Sequence, residues 1–290
     1  MANPAILSGA AWPAPAKINL FLHVVGRRPD GYHLLQTHFQ FLDHGDDLRF
    51  GLREDGVVNR VTELAGVPAE ADLVVRAARA LQAATGTRFG ADIAVTKRLP
   101  MGGGLGGGSS NAATVLVALD CLWGTRLGVD ALAALGLGLG ADVPVFVRGE
   151  AAWAEGVGER LTPLAADEPW CLVIHPGCEV PTAAVFGHPE LTRDTPALTI
   201  PGLPPDLMHN DCEPITRRLF PAVGAALDWL GDHAPARMSG TGACIFASFA
   251  DRASAQAVGE QVPAQWTWFV ARRRNRSPLL DRLAAEARAG

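Results

Sequence analysis

No uninterrupted apolar run in this chain approaches the ~20 residues that span a bilayer, so no transmembrane helix and no membrane partner is expected. The start, MANPAILSGAAWPAPAK, lacks a basic segment followed by a long apolar core and does not read as a signal peptide. Cysteine is sparse and scattered. Cys121, Cys171, Cys178, Cys212 and Cys244 are odd in number and form no CxxC pair. Neither a disulfide framework nor a structural zinc site is expected, and a reducing cytoplasm fits. Excess positive charge is missing too. The net charge of −5 argues against nucleic acid as a partner, because phosphate-backbone binders carry a basic face. The one basic cluster, Arg272, Arg273, Arg274 and Arg276, reads as a solvated surface or a tail anchor. Tyrosine occurs once, at Tyr32.

What is present is ordinary for a globular protein: 290 residues, of which 48% are hydrophobic and 19% charged. That length allows a large core, in one large domain or two modest ones. Residues 1–13 read as a loose Ala/Pro-rich leader. Ala16, Ile18, Leu20, Leu22 and Val24 then alternate with Lys17, Asn19, Phe21 and His23, the pattern of a strand with one apolar face. Turn chemistry at Arg27–Gly31 and a second strand over Leu34–Leu42 suggest a hairpin. Asp72 caps a predicted helix that runs to Thr85 and stops at Gly86. A strand is predicted over Asp92–Lys97, and another over Trp170–His175. Leu161–Asp167 reads as a polar loop and Pro201–Pro205 as a proline-rich connector. Asp211–Leu230 reads as a helix with Pro214 in its first turn. Arg237–Phe249 reads as strand, tight turn, strand, followed by a helix over Ala253–Val262 and a strand over Trp266–Ala271. Strands and helices mixed without regular βαβ alternation predict an α+β fold.

The segment Pro100-Met101-Gly102-Gly103-Gly104-Leu105-Gly106-Gly107-Gly108-Ser109-Ser110-Asn111 carries the chemistry. Six glycines in seven positions let the backbone take positive φ angles and approach a ligand closely. The loop runs into a predicted helix capped by Ser109 or Ser110, with Ala112, Val115, Leu116 and Leu119 on one side. Free N–H groups at that helix start, with its dipole, make an anion site. The two serine hydroxyls could bind phosphate or Mg²⁺. A flexible linker is the plain alternative, but linkers rarely sit between a strand and a capped helix. A Walker A loop is excluded, since no lysine follows the last glycine, and the VAIK, HRD and DFG segments of protein kinases are absent. Gly102, Gly104 and Gly107 match GxGxxG. The second strand and acid of a dinucleotide site are missing, because Asp120 falls inside the helical stretch.

Lys17 and Asn19 share one face of the first strand and can point into one cleft. The alternative is an edge-strand lysine reaching solvent. Asp142, in Gly140-Ala141-Asp142-Val143-Pro144, could take a hydroxyl proton during phosphoryl transfer, or simply cap a helix. A lysine beside it would keep the carboxylate ionised. Met238-Ser239-Gly240-Thr241-Gly242-Ala243-Cys244 is a second small-residue turn. It either closes over a ligand or is a tight hairpin.

Three segments in this order, Pro15–Leu20, Pro100–Asn111 and Ser239–Cys244, resemble the GHMP kinases. The likeness runs from about Pro15 to Phe249 and is sharpened by Gly26–His33 (GRRPDGYH), Gly140–Phe146, Ala154–Glu159 (AEGVGE) and Asn210–Glu213 (NDCE). The resemblance implies a two-domain GHMP kinase fold, with a ribosomal protein S5 domain 2-like N-terminal domain over 1–160 and a ferredoxin-like C-terminal domain over 161–290. It implies ATP as co-substrate on Pro100, Met101, Gly102, Gly103, Gly104, Leu105, Gly106, Gly107, Gly108, Ser109 and Ser110, with Mg²⁺ whose ligands remain unknown. It implies Lys17 and Asp142 as catalytic residues. The acceptor would be the tertiary 2-hydroxyl of a methylerythritol unit in a cytidine diphosphate conjugate. Asn19, Tyr32, His33, Pro181 and Phe186 would grip its cytidyl part. A monomer or a homodimer is expected. The rivals are a homoserine- or mevalonate-type member, a silent member that only binds ligand, and a dinucleotide oxidoreductase. Past Ala271 the chain matches only at Asn275, Ser277 and Pro278.

Overall fold

Both faces of the first strand are covered. The computed structural model describes residue 7 and residues 10–64, 66–199 and 208–289. Strand β1 (Trp12–Arg27) pairs antiparallel with β2 (His33–Arg53), from Trp12↔Leu48 to Arg27↔His33. Ala16, Ile18 and Leu20 enter one core, yet Lys17, Asn19, Phe21 and His23 are buried as well. The expected open polar face is corrected accordingly: alternation identifies the strand, but a strand inside a large protein has neighbours on both sides. The leader is also shorter than expected. Trp12 and Pro13 already belong to β1, while residues 1–6, 8 and 9 lie outside the described residues.

The remaining elements, in chain order, are β3 (Val58–Arg60), α1 (Leu73–Thr85), β4 (Gly90–Thr96), α2 (Gly107–Leu122), α3 (Val129–Leu137), α4 (Val143–Arg148), β5 (Ala152–Glu155) and β6 (Arg160–Pro163). They continue with β7 (Trp170–His175), α5 (Thr182–Phe186), α6 (Glu213–Leu219), α7 (Pro221–Gly231), β8 (Ala236–Met238), β9 (Ile245–Phe249), α8 (Arg252–Gly259), β10 (Thr267–Arg274) and α9 (Pro278–Ala289). Among the described strands the pairing is antiparallel except for β3 with β4, which agrees with the α+β expectation. The helix predicted from Asp211 to Leu230 is two helices. Pro221 pushes Phe220 out of the helical region, to φ −130° and ψ 81°, because its ring crowds the preceding residue. The polar loop predicted at Leu161–Asp167 is partly strand, since β6 reaches Pro163 and pairs with β5. The proline-rich connector Pro201–Pro205 lies outside the described residues.

Strand β2 is the spine. Along one edge it holds β1; along the other it meets β5 at Thr37–Phe39, β10 at Phe41 and Leu42, and β4 from Asp47 to Arg53. Strand β10 in turn pairs with β7, from Thr267↔His175 to Arg272↔Trp170. The arginine run is therefore corrected from a surface or tail feature to part of the seam between the two halves. Arg272 donates its backbone N–H to Asp43 Oδ1 at 2.7 Å. Arg273 donates from Nε to Gln40 Oε1, and burial pulls its pKa below the ordinary guanidinium value.

Three cores follow from this layout. One packs α1, α2 and α4 on β1, β2 and β4, through Leu48, Leu81, Ile93, Leu116 and Phe146. A second lies among α6, α7 and the β7–β9 strands, through Leu172, Ile215, Leu227 and Ile245. The third joins Ile18, Leu20 and Leu42 from the first half to Val173, Phe246 and Ala271 from the second, with Leu105 of the glycine segment among them. This shared core should couple the halves in folding. Ile18→Ala, at a fully buried position, should cost ~2–5 kcal/mol and preserve one cooperative unfolding transition. Urea denaturation followed by both tryptophan fluorescence and circular dichroism checks this. Two separated transitions would show that the halves unfold independently.

Candidate active site

The glycine segment is held by its carbonyls. Lys17 N–H donates to Leu105 O at 2.9 Å, Ser239 Oγ to Gly104 O at 3.0 Å, Cys244 N–H to Gly103 O at 3.0 Å and Ala243 N–H to Gly102 O at 3.3 Å. Strand β1 and the Met238–Cys244 turn thus clasp the loop from below, so that turn serves as a clamp and is more than a hairpin connection. Gly104 must be glycine. Its φ is +73°, and a Cβ would lie 2.2 Å from Ser239 O. Helix α2 then starts at Gly107, earlier than expected. Its N-cap is Gly106, with no side-chain cap, so the expected Ser109 or Ser110 cap is corrected. The helix is also buried on every side from Ser110 to Leu119, where one apolar face was expected. With no side chain across its mouth, the first-turn N–H groups have no partner inside the helix.

Lys17 is 4% exposed, and its ammonium has three partners: Asn19 Oδ1 at 2.7 Å, Gly104 O at 3.0 Å and Asp142 Oδ2 at 3.3 Å. Three partners match the three donors of an ammonium. Accepting from Lys17 fixes the Asn19 amide, whose Nδ2 donates to Thr37 Oγ1 at 2.9 Å; Thr37 Oγ1 in turn donates a hydrogen bond to Phe21 O. Asp142 stands just before α4, where a capping role was the alternative. Its side chain makes no capping hydrogen bond, and its carboxylate faces Lys17 instead.

These groups line a cleft of about 580 Å³. Of the expected residues, the cleft gathers Lys17, Asn19, Asp142, Pro100, Met101, Gly102, Gly103, Gly104, Leu105, Gly106, Gly107, Gly108, Ser109 and Phe186. Ser110 is buried behind it, with its Oγ lacking a hydrogen-bond partner among the described residues. His33 stacks on Phe186, with ring centroids 5.0 Å apart and planes at 27°. Pro181 precedes α5, the short helix that ends in Phe186. Tyr32 sits at the hairpin tip and is 65% exposed.

Several lining residues fall outside the expected catalytic, ATP-binding and substrate-binding sets, although Thr241, Val157 and Gly158 lie in segments the sequence singled out. Lys97 borders the helix mouth, 3.4 Å from where a Gly107 Cβ would lie, and pairs with the fully buried Asp46. Asp46 also accepts from Arg98 N–H at 2.8 Å and Leu99 N–H at 2.9 Å, which fixes the approach to the glycine run. A cation five residues before the first glycine was the available signal for Lys97; Asp46 had none. Thr182 and Thr241, also in the cleft lining, bring their hydroxyls within 3.2 Å of each other. Val157 and Gly158, from the AEGVGE segment, complete the wall near Asp142.

A magnesium ion takes oxygen ligands and usually arrives with substrate phosphates, held by one or two protein groups. The residues fit that mode. Among the described residues no three His, Cys, Asp or Glu side chains cluster as a metal cage, while the Ser109 and Asp142 oxygens border the cleft.

Residues 72–150 match the family model for the GHMP kinases N terminal domain, and residues 201–267 match that for the GHMP kinases C terminal domain. The chain is 60% identical over 284 residues to 4-diphosphocytidyl-2-C-methyl-D-erythritol kinase of Halorhodospira halophila, covering 97% of this chain and 99% of that one. It is 60% identical over 275 residues to the enzyme of the same name from Alkalilimnicola ehrlichii, covering 95% and 94%. The crystal structure of a 4-(cytidine 5'-diphospho)-2C-methyl-D-erythritol kinase superposes with a TM-score of 0.78 at 34% identity, over 91% of this chain and 99% of that one.

Gly106 gives a test of the loop. Its φ is +73°, and a Cβ there would meet Phe146 ring carbons at 2.8 Å and Lys17 Cε at 3.2 Å. Gly106→Ala should weaken ATP binding at least tenfold in calorimetric titration while the folded circular dichroism spectrum persists. Unchanged affinity would remove the loop from nucleotide binding.

Proposed function

The chain belongs to the GHMP kinase family, and from that premise we propose that it transfers the γ-phosphoryl group of ATP to the 2-hydroxyl of 4-diphosphocytidyl-2-C-methyl-D-erythritol, giving the 2-phosphate and ADP. The reaction belongs to the non-mevalonate, methylerythritol phosphate route to isoprenoid precursors. The observation that carries the catalytic reading is the Lys17–Asp142 contact at 3.3 Å beside a glycine-lined helix mouth.

In this reading Pro100–Ser109 and the first turn of α2 cradle the triphosphate through backbone N–H groups. Lys97 adds positive charge at the same mouth. The Ser109 hydroxyl and the Asp142 carboxylate would hold Mg²⁺, which would supply positive charge to neutralise the phosphates. Asp142 accepts the proton of the acceptor hydroxyl. The freed oxygen forms its bond to the γ-phosphorus as the bond from that phosphorus to the bridging oxygen breaks, and ADP leaves. Phosphoryl transfer has a loose transition state, so placement and charge outweigh base strength. Lys17 offsets negative charge on the group in transit. Asn19 and Thr37 hold the ammonium in place. Tyr32, His33, Pro181 and Phe186 take the cytidyl end, and Thr182 and Thr241 line the path between the two ends.

A coupled ADP-release assay should show turnover with the cytidyl conjugate and none with homoserine or mevalonate. Asp142→Ala should lower kcat by ~10²–10⁴-fold with ATP affinity within twofold of the parent; turnover comparable to the parent would take Asp142 out of the mechanism. Tyr32→Ala should raise KM for the cytidyl conjugate by the equivalent of ~1–3 kcal/mol of lost base stacking. An unchanged KM would count against stacking there.

A further inference from the structure

Arg193 belongs to no motif read from the sequence, yet all five of its N–H donors are engaged. Nη1 donates to Pro189 O at 3.3 Å and Leu191 O at 2.9 Å, and Nη2 donates to Phe186 O at 3.0 Å and His188 O at 2.7 Å. Nε donates to His33 Nε2 at 3.0 Å. None of these acceptors is a carboxylate. Four carbonyls, one from the last residue of α5 and three from the turn after it, curl around the guanidinium, and its fifth donor crosses to the start of β2. His33 closes the triangle by stacking on Phe186.

The chemistry of that fifth bond is restrictive. A guanidinium only donates, so His33 Nε2 must accept, and the ring proton must sit on Nδ1. Protonating Nε2 would break the bond and set two cations side by side. Burial first, then the charges of Arg193 and Arg27, hold the His33 pKa below the ordinary imidazole value, so the ring is neutral at neutral pH. Among the described residues no hydrogen bond engages Nδ1.

We propose that Arg193 is a positioning residue that locks His33 as the Nδ1–H tautomer, making the base pocket a hydrogen-bond donor at that atom and thereby selecting cytosine. The proposal deepens the functional reading above and rests on it. Cytosine offers unprotonated N3 and the O2 carbonyl on its pairing edge, whereas uracil carries N–H at N3. A donor held in one orientation suits the first and opposes the second, and a site built to hydrogen-bond one partner rejects the mismatched one strongly. The same guanidinium holds the Phe186 carbonyl, so tautomer and stacking platform are set together.

The test begins with the unaltered enzyme. Nitrogen-15 spectra of histidine-labelled protein should show His33 with a protonated Nδ1 and an unprotonated Nε2 at neutral pH. The opposite tautomer would overturn the proposal even if the enzyme turns over the cytidyl conjugate. Absence of turnover would overturn the functional reading, and with it the cytosine selection. Arg193→Gln should raise KM for the cytidyl conjugate at least tenfold, with kcat within about threefold and KM for ATP within twofold. Its preference for the cytidyl over the corresponding uridyl conjugate should shrink by a similar factor. In a His33→Ala background the same change should add less than twofold. An equal loss with and without His33 would reduce Arg193 to a staple of the turn and sink the proposal. Should Arg193→Gln fail to fold, Arg193→Lys, which keeps the charge but not the fork, should show the same loss of preference. Parent-like preference in that variant would count against the tautomer lock.

Discussion

A buried ammonium with three fixed partners is the constraint on which the site depends. Lys17 is nearly inaccessible, and a cation there is tolerable only if its donors are met. They are met by three different segments: β1 itself through Asn19, the glycine run through Gly104 O, and the residue before α4 through Asp142. The requirement to satisfy one charge therefore brings the carboxylate to the loop. Asn19 and Thr37 extend the requirement to β2, so the ammonium is tied to the spine of the sheet.

The glycine run has two duties, and they account for different glycines. Gly104 is required by the fold, because Ser239 O and Gly242 O occupy the space a side chain would need. Gly106 opens α2 without a side chain over its first N–H groups. Leu105, between them, is the anchor, buried in the core shared by both halves. A loop that looks loose in sequence is thus bolted at its centre and bare at its mouth. Asp46, wholly buried, steadies the entry from β4 and pairs with Lys97.

Much of this was legible without coordinates. Alternation marked β1, Asp72 and Gly86 bounded α1 correctly, and Trp170–His175 matched β7 residue for residue. These features rest on local rules: period, capping and turn chemistry. The errors came where context overrides local preference. Serines after a glycine run look like caps, yet α2 begins before them. Four arginines in five positions look solvent-facing, yet three lie in a strand that joins the halves. Arg193 and Asp46 left no trace, because a single polar residue in a loop or strand does not announce its distant acceptors.

The amino-acid sequence alone determined the chemistry on offer: a run of residues without side chains ahead of a helix, one lysine in an apolar strand, one aspartate in a glycine-bounded turn, and one tyrosine in a hairpin tip. Those are properties of side chains and spacing, and they survive any folding. Only the tertiary structure decided that the aspartate leaves its capping position uncapped to face the lysine, and that an arginine dictates which nitrogen of His33 bears the proton. Hydrogen bonds between residues more than a hundred positions apart depend on how the sheet and its cores close, and no local pattern encodes that closure.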